Sequence, residues 1–589
     1  MKNRTIKISL LSSVLLLSVA NTNLFAATCP QTSSYLFCVD SKDTSKAVFI
    51  PSPDTTSFSI DNGSLNRTKA YGYGSNNLDS LGGKDTGINN VINYNSIITA
   101  FAPNSTGKHF DANLINYATA KVTLEDSSGN LVVSNSTKFD TKGTTTFKSG
   151  SKLFIDVASS ATGNYDGQKI SDVIKAQTLT IEDSTLKLED NSALLDFTYT
   201  ATATSLDLNV KQAQTVGNTI ASDNKNARNA AVVLQNIIDN SGNYPQMNSV
   251  ITALNGLSSN EAVAKAVDST TPQTTTSSFT ASNQISNNVS NIVTQRQNIN
   301  LNGTGLNSGD DMLSEKNIWV KPYGSLGAQK NKDGVNGFDI NTYGIGLGFD
   351  AEIKENQQIG LGLFYTKADV NVNNVSQNSD INVYSLVLYG NSSIIDDKTN
   401  LLYQIAYSLQ DTSSQRDIDF LNTSAKADYK SHIATLDLRL LRDMQINSDT
   451  LLQPFVSTLY RHFKSPSYNE QGAGSLNLNV NSFSSSELIF GVGTLVHYKI
   501  NDNSKIFSNV NIGYDLKDDN NIVSSSYQGA SGLSFETQGI DNGRWSYDLG
   551  LGYENSITEL SNINFSYNFQ GQGTSYTNHI FSAKYNYKF

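Results

Sequence analysis

Charged side chains and long apolar runs are both scarce in this chain of 589 residues. Asp, Glu, Lys and Arg make up 16% of the sequence, the mean hydropathy is −0.32 and the formal net charge is −11. The acidic balance, with no cluster of Lys and Arg, argues against a nucleic-acid-binding protein. Beyond the N-terminus no apolar run approaches the roughly 20 residues of a membrane-spanning helix. A crossing of a membrane would therefore require a β-barrel.

Cysteine and histidine are also rare, which limits the chemistry that the chain can perform. Cys29 and Cys38 are the two cysteines, and we expect a local disulfide between them in an oxidising compartment. His109, beside Asp111, is more consistent with a loop histidine than with a Ser/His/Asp triad. We therefore predict no catalytic site, no metal site and no cofactor. The acidic pairs at 182–183 and 189–190 are predicted to be solvated turn residues rather than a glycosidase pair.

The N-terminus has the pattern of an export signal. Basic residues precede the run "ISLLSSVLLLSVA", and small residues follow it. Residues 1–26 are predicted to be a cleaved signal peptide that directs the chain through the inner membrane. Lipidation of Cys29 is a less favoured alternative, because Thr28 is bulkier than the small residue expected before a lipidated cysteine.

From about residue 313 the sequence alternates between apolar and polar residues. In "TYGIGLGFDAEI" (342–353) one face is apolar and the other carries glycines and acids. Gly, Ser, Asn and isolated charges on the second face suit the lumen of a barrel better than the solvent side of a soluble sheet. The Gly-x-Gly-x-Gly run has no βαβ context, which excludes a nucleotide-binding loop. About twelve such stretches follow, with starts near Asn317, Phe338, Gln357, Asp380, Asn400, Ala425, Thr450, Glu487, Lys505, Arg544, Glu559 and Ser575.

These stretches predict a 12-stranded antiparallel transmembrane β-barrel over 313–589. The first and fourth of them alternate poorly. The final stretch presents an apolar face to lipid and pairs with the first strand; that face includes Phe581, Tyr585, Tyr587 and Phe589.

A polar segment precedes the barrel. Residues 276–312 begin with a long polar stretch whose sparse apolar points are Ile285, Val289 and Ile292. This apolar stripe is too thin to dock a surface helix, so we predict a helix and linker that thread the lumen. A disordered Asn/Ser/Thr linker is the alternative. Residues 216–275 contain three short helical patterns and form a predicted helical junction, in which Ser258 and Glu261 make a capping box.

The region 27–215 consists of short β-rich runs separated by Gly, Asn, Asp and Ser. Their loose recurrence every 10 to 20 residues predicts an all-β passenger with a β-solenoid, parallel β-helix-like fold. A compact β-sandwich is the competing interpretation.

This order of segments resembles the monomeric autotransporters of Gram-negative bacteria. The most specific match is a first-strand motif formed by Trp319, Lys321, Pro322, Tyr323 and Gly324. The resemblance implies a monomer secreted by the type V pathway. Its barrel would lie in outer-membrane lipid, assembled by machinery that reads the last strand, and its passenger would reach the cell surface.

We predict an outer-membrane autotransporter with a non-catalytic, adhesin-like passenger that binds a host or cell-surface glycan or protein. Three alternatives remain: a passive outer-membrane pore with a periplasmic N-terminal domain, a passenger that is a hydrolase, or a passenger that acts as a toxin.

Overall fold

The computed structural model describes residues 169–301, 314–354, 357–517, 519 and 521–588, with the segments 27–28, 35–40, 46–51, 57–59, 90–93, 97–99, 113–117, 119–123 and 139–157. The predicted signal peptide, Cys29, His109 and Phe589 lie outside these residues, so the predicted disulfide does as well. The chain divides into two compact units, Met1–Gln214 with Ile251–Ser258, and Thr215–Val250 with Ser259–Phe589.

The first unit is built from short strands, most of which stack in parallel. Its described strands are β1 (Ala27–Thr28), β2 (Tyr35–Asp40), β3 (Lys46–Pro51), β4 (Ser57–Ser59), β5 (Asn90–Asn93), β6 (Ile97–Thr99), β7 (Asn113–Asn116), β8 (Thr119–Thr123), β9 (Phe139–Asp140), β10 (Thr144–Phe147), β11 (Lys152–Asp156), β12 (Lys169–Lys175), β13 (Thr178–Ile181), β14 (Lys187–Asp190), β15 (Leu195–Ala201) and β16 (Ser205–Gln212). Two parallel ladders run β3-β5-β7-β10-β13 and β4-β6-β8-β11-β14. This stacking is that of the predicted solenoid, since the neighbouring strands of a sandwich would be antiparallel.

Apolar residues at alternate positions fill the interior of these ladders. Leu153 and Ile155 of β11 are fully buried, and Ala120 and Val122 of β8 lie opposite them in register. Each fully buried side chain of the size of Leu or Ile contributes about 1.5–3 kcal/mol relative to exposure. The β15-β16-β12-β9 sheet shares the same core.

Charged side chains connect successive rungs on the outside. Lys152 of β11 lies 2.8 Å from Glu189 of β14, and Lys187 lies at the same distance from Glu189. These contacts lower the pKa of Glu189, with the hydrogen bond from Lys152 as the largest cause. Glu189 and Asp190 are the last two residues of β14, so their prediction as turn residues is wrong.

The described residues that follow the solenoid include four α-helices: α1 (Lys225–Asp239), α2 (Asn248–Asn255), α3 (Asn260–Ser269) and α4 (Gln273–Leu301). The hydroxyl of Ser259 accepts a hydrogen bond from the amide of Ala262 at 3.1 Å and caps α3. The predicted capping box is therefore wrong by one residue, because Ser258 lies before the cap. Among the described helices, none has an apolar stretch long enough to cross a membrane.

The second unit contains a closed barrel of twelve antiparallel strands, as predicted. They are β17 (Ser314–Gln329), β18 (Phe338–Lys354), β19 (Gln357–Val372), β20 (Gln377–Ser393), β21 (Thr399–Ile418), β22 (Thr423–Arg442), β24 (Thr450–Ser465), β27 (Phe483–Asn501), β28 (Ser504–Asp515), β31 (Trp545–Thr558), β32 (Ser561–Gln572) and β33 (Tyr576–Lys588); β23 (Met444–Gln445) extends one hairpin. Pairing of β17 with β33 closes the barrel. The predicted starts agree closely, and the largest difference is four residues, Phe483 against Glu487.

The two ends of the barrel differ in the length of their connections. Residues 502–503 and 559–560 form tight turns at the end where β17 begins and β33 finishes. At the opposite end, long loops carry a small sheet of β25 (Tyr468–Asn469), β26 (Leu478–Val480), β29 (Ile522–Tyr527) and β30 (Ser534–Gln538). Short turns face the periplasm and long loops face outward in outer-membrane barrels, so the loop-bearing end is the outer end.

The polarity of the wall reverses along several strands. In the outer part of β20, Ile381 and Val383 face the lumen and are fully buried, while the side chains on either side of them are polar and point outward. Further along, Tyr384 and Leu386 point outward with 54% and 48% exposure. The outer parts of these strands therefore extend beyond the lipid, where their lumen-facing surface is apolar and their outward-facing surface is polar. This reversal explains why the fourth stretch alternates poorly in the sequence.

Candidate functional site: a helix in the barrel lumen

Helix α4 runs through the lumen from the outer end to the periplasmic end. At its start the amide of Gln273 donates to Gln377 Oε1 at 3.2 Å, and near its end Gln297 Nε2 donates to the carbonyl of Gly390 at 2.6 Å. Gln377 begins β20 at the outer end, and Gly390 lies near the finish of the same strand. At 1.5 Å per residue the helix covers about 36 Å between these contacts.

The three predicted apolar points of α4 are buried against the wall. Ile285, Val289 and Ile292 are 1%, 3% and 3% exposed. Ile285 belongs to an apolar cluster with β18, β19 and β20, whereas Val289 and Ile292 pack in a cluster that includes Trp319. The lumen is thus partly apolar on this side, which differs from the uniformly polar lining that the sequence suggested.

The first-strand motif divides between the two faces of β17. Trp319, Lys321 and Tyr323 point into the lumen and are buried, whereas Pro322 is exposed on the lipid side and Gly324 is half-buried there. The Trp319 indole donates to the Tyr389 hydroxyl at 2.8 Å. Pro322 has no N–H to donate, and the pairing of β17 with β33 is interrupted at Lys321 and Pro322. The motif therefore helps to shape the lumen wall.

Glycines make room for these inward aromatic rings. A Cβ atom at Gly348 would lie 2.2 Å from the Trp319 ring, and one at Gly360 would lie 2.3 Å from the Tyr389 ring. The glycine-rich stretches of β18 and β19 are therefore sockets for rings from neighbouring strands. The sequence pattern placed Gly348 on the lumen face, but it did not identify the rings that these glycines accommodate.

Arg296 is the one charged residue of α4, and it forms a buried ion pair with the wall. Its Nε and Nη2 atoms donate to the two carboxylate oxygens of Asp350, each at 2.7 Å. The side chains are 2% and 1% exposed. The Tyr389 hydroxyl donates to the same carboxylate at 2.8 Å. A bidentate ion pair of this kind fixes both the rotation of the helix about its axis and its axial position in the lumen.

Elsewhere along α4, neutral polar side chains contact charged groups of the wall. Asn283 Nδ2 donates to Glu487 at 2.8 Å, and Asn291 Nδ2 donates to Asp548 at 2.9 Å. The further pairs are Asn287 with Arg461, Ser290 with Asp437, and Gln295 with Lys321. Sequence reasoning missed this set. The sequence did place these charged residues at the alternate strand positions that face the lumen. Spacing alone could not show which residue of α4 each of them contacts.

The outer end of the helix is held by a second group of contacts. Arg416 of β21 pairs with Glu470 and donates to the carbonyl of Ser269 at 2.9 Å. Asp268 accepts hydrogen bonds from the side-chain amides of Gln273 and Asn336 at 3.0 and 2.6 Å. Burial nevertheless raises the pKa of Asp268. The junction ahead of α4 is therefore fixed to the outer loops.

On the side away from its apolar contacts, α4 leaves a polar cavity of about 180 Å³. One wall is the helix face from Phe279 to Asn291, and the other is formed mainly by β22, β24, β27, β28 and β31. Among the described residues, no group of three His, Cys, Asp or Glu side chains is placed to hold a metal ion.

The predicted aromatic residues of the last strand face lipid. Phe581, Tyr585 and Tyr587 are 54%, 43% and 40% exposed on the outer surface of β33, whereas Lys584 and Asn586 between them point inward. Tyr587 is paired in register with Ile318 at the closing seam.

Comparisons with known proteins identify the barrel. The family model "Autotransporter beta-domain" matches residues 318–568. Outer membrane protein A of Rickettsia conorii is 27% identical over 42% of this chain and 13% of its own length. An extracellular serine protease of Serratia marcescens is 27% identical over 29% of this chain and 16% of its own length. The chain thus spans less than a fifth of these relatives.

A solved structure with a similar C-terminal region is the translocator domain of autotransporter NalP from Neisseria meningitidis. It is 15% identical, with a TM-score of 0.43, over 52% of this chain and 98% of that domain. The family match identifies residues 318–568, and with them the C-terminal barrel, as an autotransporter β-domain, and the Rickettsia outer membrane proteins agree with a location in the outer membrane.

Proposed function

We propose that the barrel carries its own N-terminal region to the cell surface and keeps it displayed there. The observation that supports this is the direction of α4: its C-terminal end lies where β17 begins, and its N-terminal end lies among the outer loops. Residues before Gln273 therefore leave the lumen at the outer end.

The contacts of α4 also support display as the resting state. The Arg296–Asp350 pair and the Arg416 contacts hold the two ends of the helix against the wall. A chain that moves through the lumen would have to break and re-form such contacts at every step, whereas a stationary helix makes all of them at the same time.

The displayed region acts as a non-catalytic, adhesin-like module in this proposal. Its ladders form an extended surface on which polar and charged side chains recur from rung to rung, as with Lys121 and Asp156 at 2.5 Å. Such a surface suits hydrogen bonding to a glycan or protein of another cell. Outer-membrane lipid and the barrel assembly machinery are the further partners that we propose, and the protein acts as a monomer.

An accessibility experiment in intact cells tests the proposal. One epitope is inserted after Gly150, in a turn of the solenoid, and a matched epitope after Asn503, in a tight turn of the barrel. We expect added protease to remove the first tag from intact cells and to reach the second only after permeabilisation. Protection of the Gly150 tag in intact cells would favour a passive pore with a periplasmic domain.

A cell-binding assay tests the adhesin role separately. Cells that display the full chain should adhere to host cells, and cells that display residues 216–589 behind the same signal peptide should not. Equal adhesion by both would remove the adhesin role. Hydrolase activity of the displayed region would favour the enzymatic alternative.

A further inference from the structure

The charges of the lumen fall into two zones of opposite sign. The polar cavity beside α4 is lined by six carboxylates and three guanidiniums, which gives a net charge of −3 (3 − 6). These residues, the outer acidic zone, are Asp437, Glu487, Asp515, Asp519, Asp541 and Asp548, with Arg439, Arg461 and Arg544.

Closer to the periplasm the balance is reversed. Four basic side chains face two acidic side chains there, a formal charge balance of +2 (4 − 2). This inner basic zone consists of Arg296, Lys321, Lys505 and Lys584, with Asp350 and Glu554. On α4, Asn291 contacts the outer zone and Gln295 contacts the inner zone. Four residues of helix separate these contacts by about 6 Å.

The inner basic zone is buried but polar. Lys584 is 2% exposed, and its Nζ atom has no hydrogen-bond partner among the described residues. Glu554 Oε2 and both side-chain polar atoms of Asn564 are also buried without a hydrogen-bond partner among the described residues. Asn564 lies opposite Lys584 in register. Buried polar atoms without protein partners are normally satisfied by water. We therefore expect water molecules among these side chains.

We infer that the two zones in series form an electrostatic seal against ions of both signs while α4 occupies the lumen. Cations that enter from outside are attracted into the outer acidic zone and are then repelled by the inner basic zone. Anions that enter from the periplasm are attracted to the inner basic zone and are then repelled by the carboxylates beyond it. The inference rests on the position of the barrel in the membrane and is independent of export of the N-terminal region.

Currents through the full chain in planar lipid bilayers, under a KCl gradient, test the seal. The variant Lys321→Met/Lys584→Met removes two positive charges and nearly preserves side-chain length. We expect at least a tenfold larger current than for the unchanged protein, with a reversal potential that shows selectivity for cations. Lys426→Met/Lys430→Met makes the same change of charge on the outward face of β22 and should leave the current unchanged.

A charge-preserving variant separates electrostatics from packing. Lys321→Arg/Lys584→Arg changes shape at both positions and should remain as closed as the unchanged protein. The opposite change, Asp437→Asn/Asp548→Asn, should produce a current selective for anions. If the double lysine variant is recovered unfolded, Lys584→Met alone is used, because that side chain makes no hydrogen bond.

Three results would overturn the inference. The first is an unchanged current in the folded lysine-to-methionine variant. The second is an increased current without selectivity, which would indicate a loosened helix. The third is an equal leak in the arginine variant.

Discussion

At the scale of single residues, the Arg296–Asp350 pair defines how α4 sits in the barrel. It is the one ion pair that the helix itself makes with the wall, and both partners are almost fully buried. Removing one member of a buried pair leaves the other charge without compensation, and this is more costly than replacing both.

We expect Arg296→Met to destabilise the folded barrel by about 3–5 kcal/mol, the range typical of a broken buried pair. The double variant Arg296→Met/Asp350→Asn should recover much of this loss. Thermal unfolding in detergent, followed by the shift in gel mobility between folded and unfolded barrel, measures both. A double variant less stable than the single one would contradict the assigned pairing.

Glu189 provides a residue-scale prediction of pH dependence in the solenoid. Lys152 and Lys187 lower its pKa, so its contribution to stability is present above the ordinary pKa of the carboxyl and is lost as the pH falls through the lowered value. Protection factors of the β11 amides, each corrected for the intrinsic exchange rate at its pH, should be lower at pH 3 than at pH 6. In Glu189→Gln that difference should shrink. An equal difference in both proteins would show that other groups are responsible.

At the scale of elements, α1 protects an exposed strand edge. The side chain of Asn226 donates to the carbonyl of Gln538 and accepts from its amide, each at 2.8 Å, as a neighbouring strand would. Asn229 donates to the carbonyl of Glu536 at 2.9 Å. Helix α1 thus occupies the free edge of β30, which would otherwise be open to pairing with another chain.

Asn226→Ala should therefore free the edge of β30. Loss of the two hydrogen bonds should cost about 1–3 kcal/mol of local stability. Hydrogen exchange over 534–538 should accelerate, while exchange in the barrel strands should not change. Asn240→Ala is the matched control, because Asn240 bonds only within its own neighbourhood. Equal acceleration in both variants would contradict the capping role.

The reversal of polarity along the barrel strands gives a second prediction at this scale. Leu361 and Asn371 both point outward from β19, but Leu361 lies within the apolar belt and Asn371 beyond it. Leu361→Arg should destabilise the barrel by about 2–4 kcal/mol if it lies near the bilayer midplane, and Asn371→Arg should have little effect. Unfolding in lipid vesicles measures the two. Equal costs would mean that the lipid boundary is wrongly placed.

The elements were largely predictable because most barrel strands have one lipid face with a strict period of two. β27 shows the limit of this signal: its start differed by four residues because Ser484, Ser485 and Ser486 belong to the part beyond the lipid, where polarity no longer marks the face. The rings of Trp319 and Tyr389 were unpredictable as lumen partners, since their sockets come from other strands. Apolar residues at Ile285, Val289 and Ile292 indicated a lumen helix. The ion pair between its Arg296 and Asp350 depends on the axial position and rotation of α4 relative to β18, which residue spacing does not define.

At the scale of the whole molecule, the polar helix in a closed barrel is what connects the fold to export. A helix that meets charged wall residues mainly through amides and hydroxyls can rest in the lumen without burying unpaired charges of its own. Its single charged residue, Arg296, is paired with Asp350 of the wall. In the proposed function, this arrangement directs the upstream chain to the outer end of the barrel while the lumen stays occupied.

The most direct test of this account is a cross-link between α4 and the wall in native outer membranes. The hydroxyl oxygens of Ser286 and Thr435 lie 3.1 Å apart, so Ser286→Cys/Thr435→Cys, with Cys29 and Cys38 replaced by Ser, should form an intramolecular disulfide under mild oxidation. Ser286→Cys/Thr458→Cys is the control, because Thr458 points outward from β24. Rapid cross-linking of the first pair alone would establish that α4 fills the lumen. Failure of the first pair in folded barrels, or equal reaction of both pairs, would contradict it.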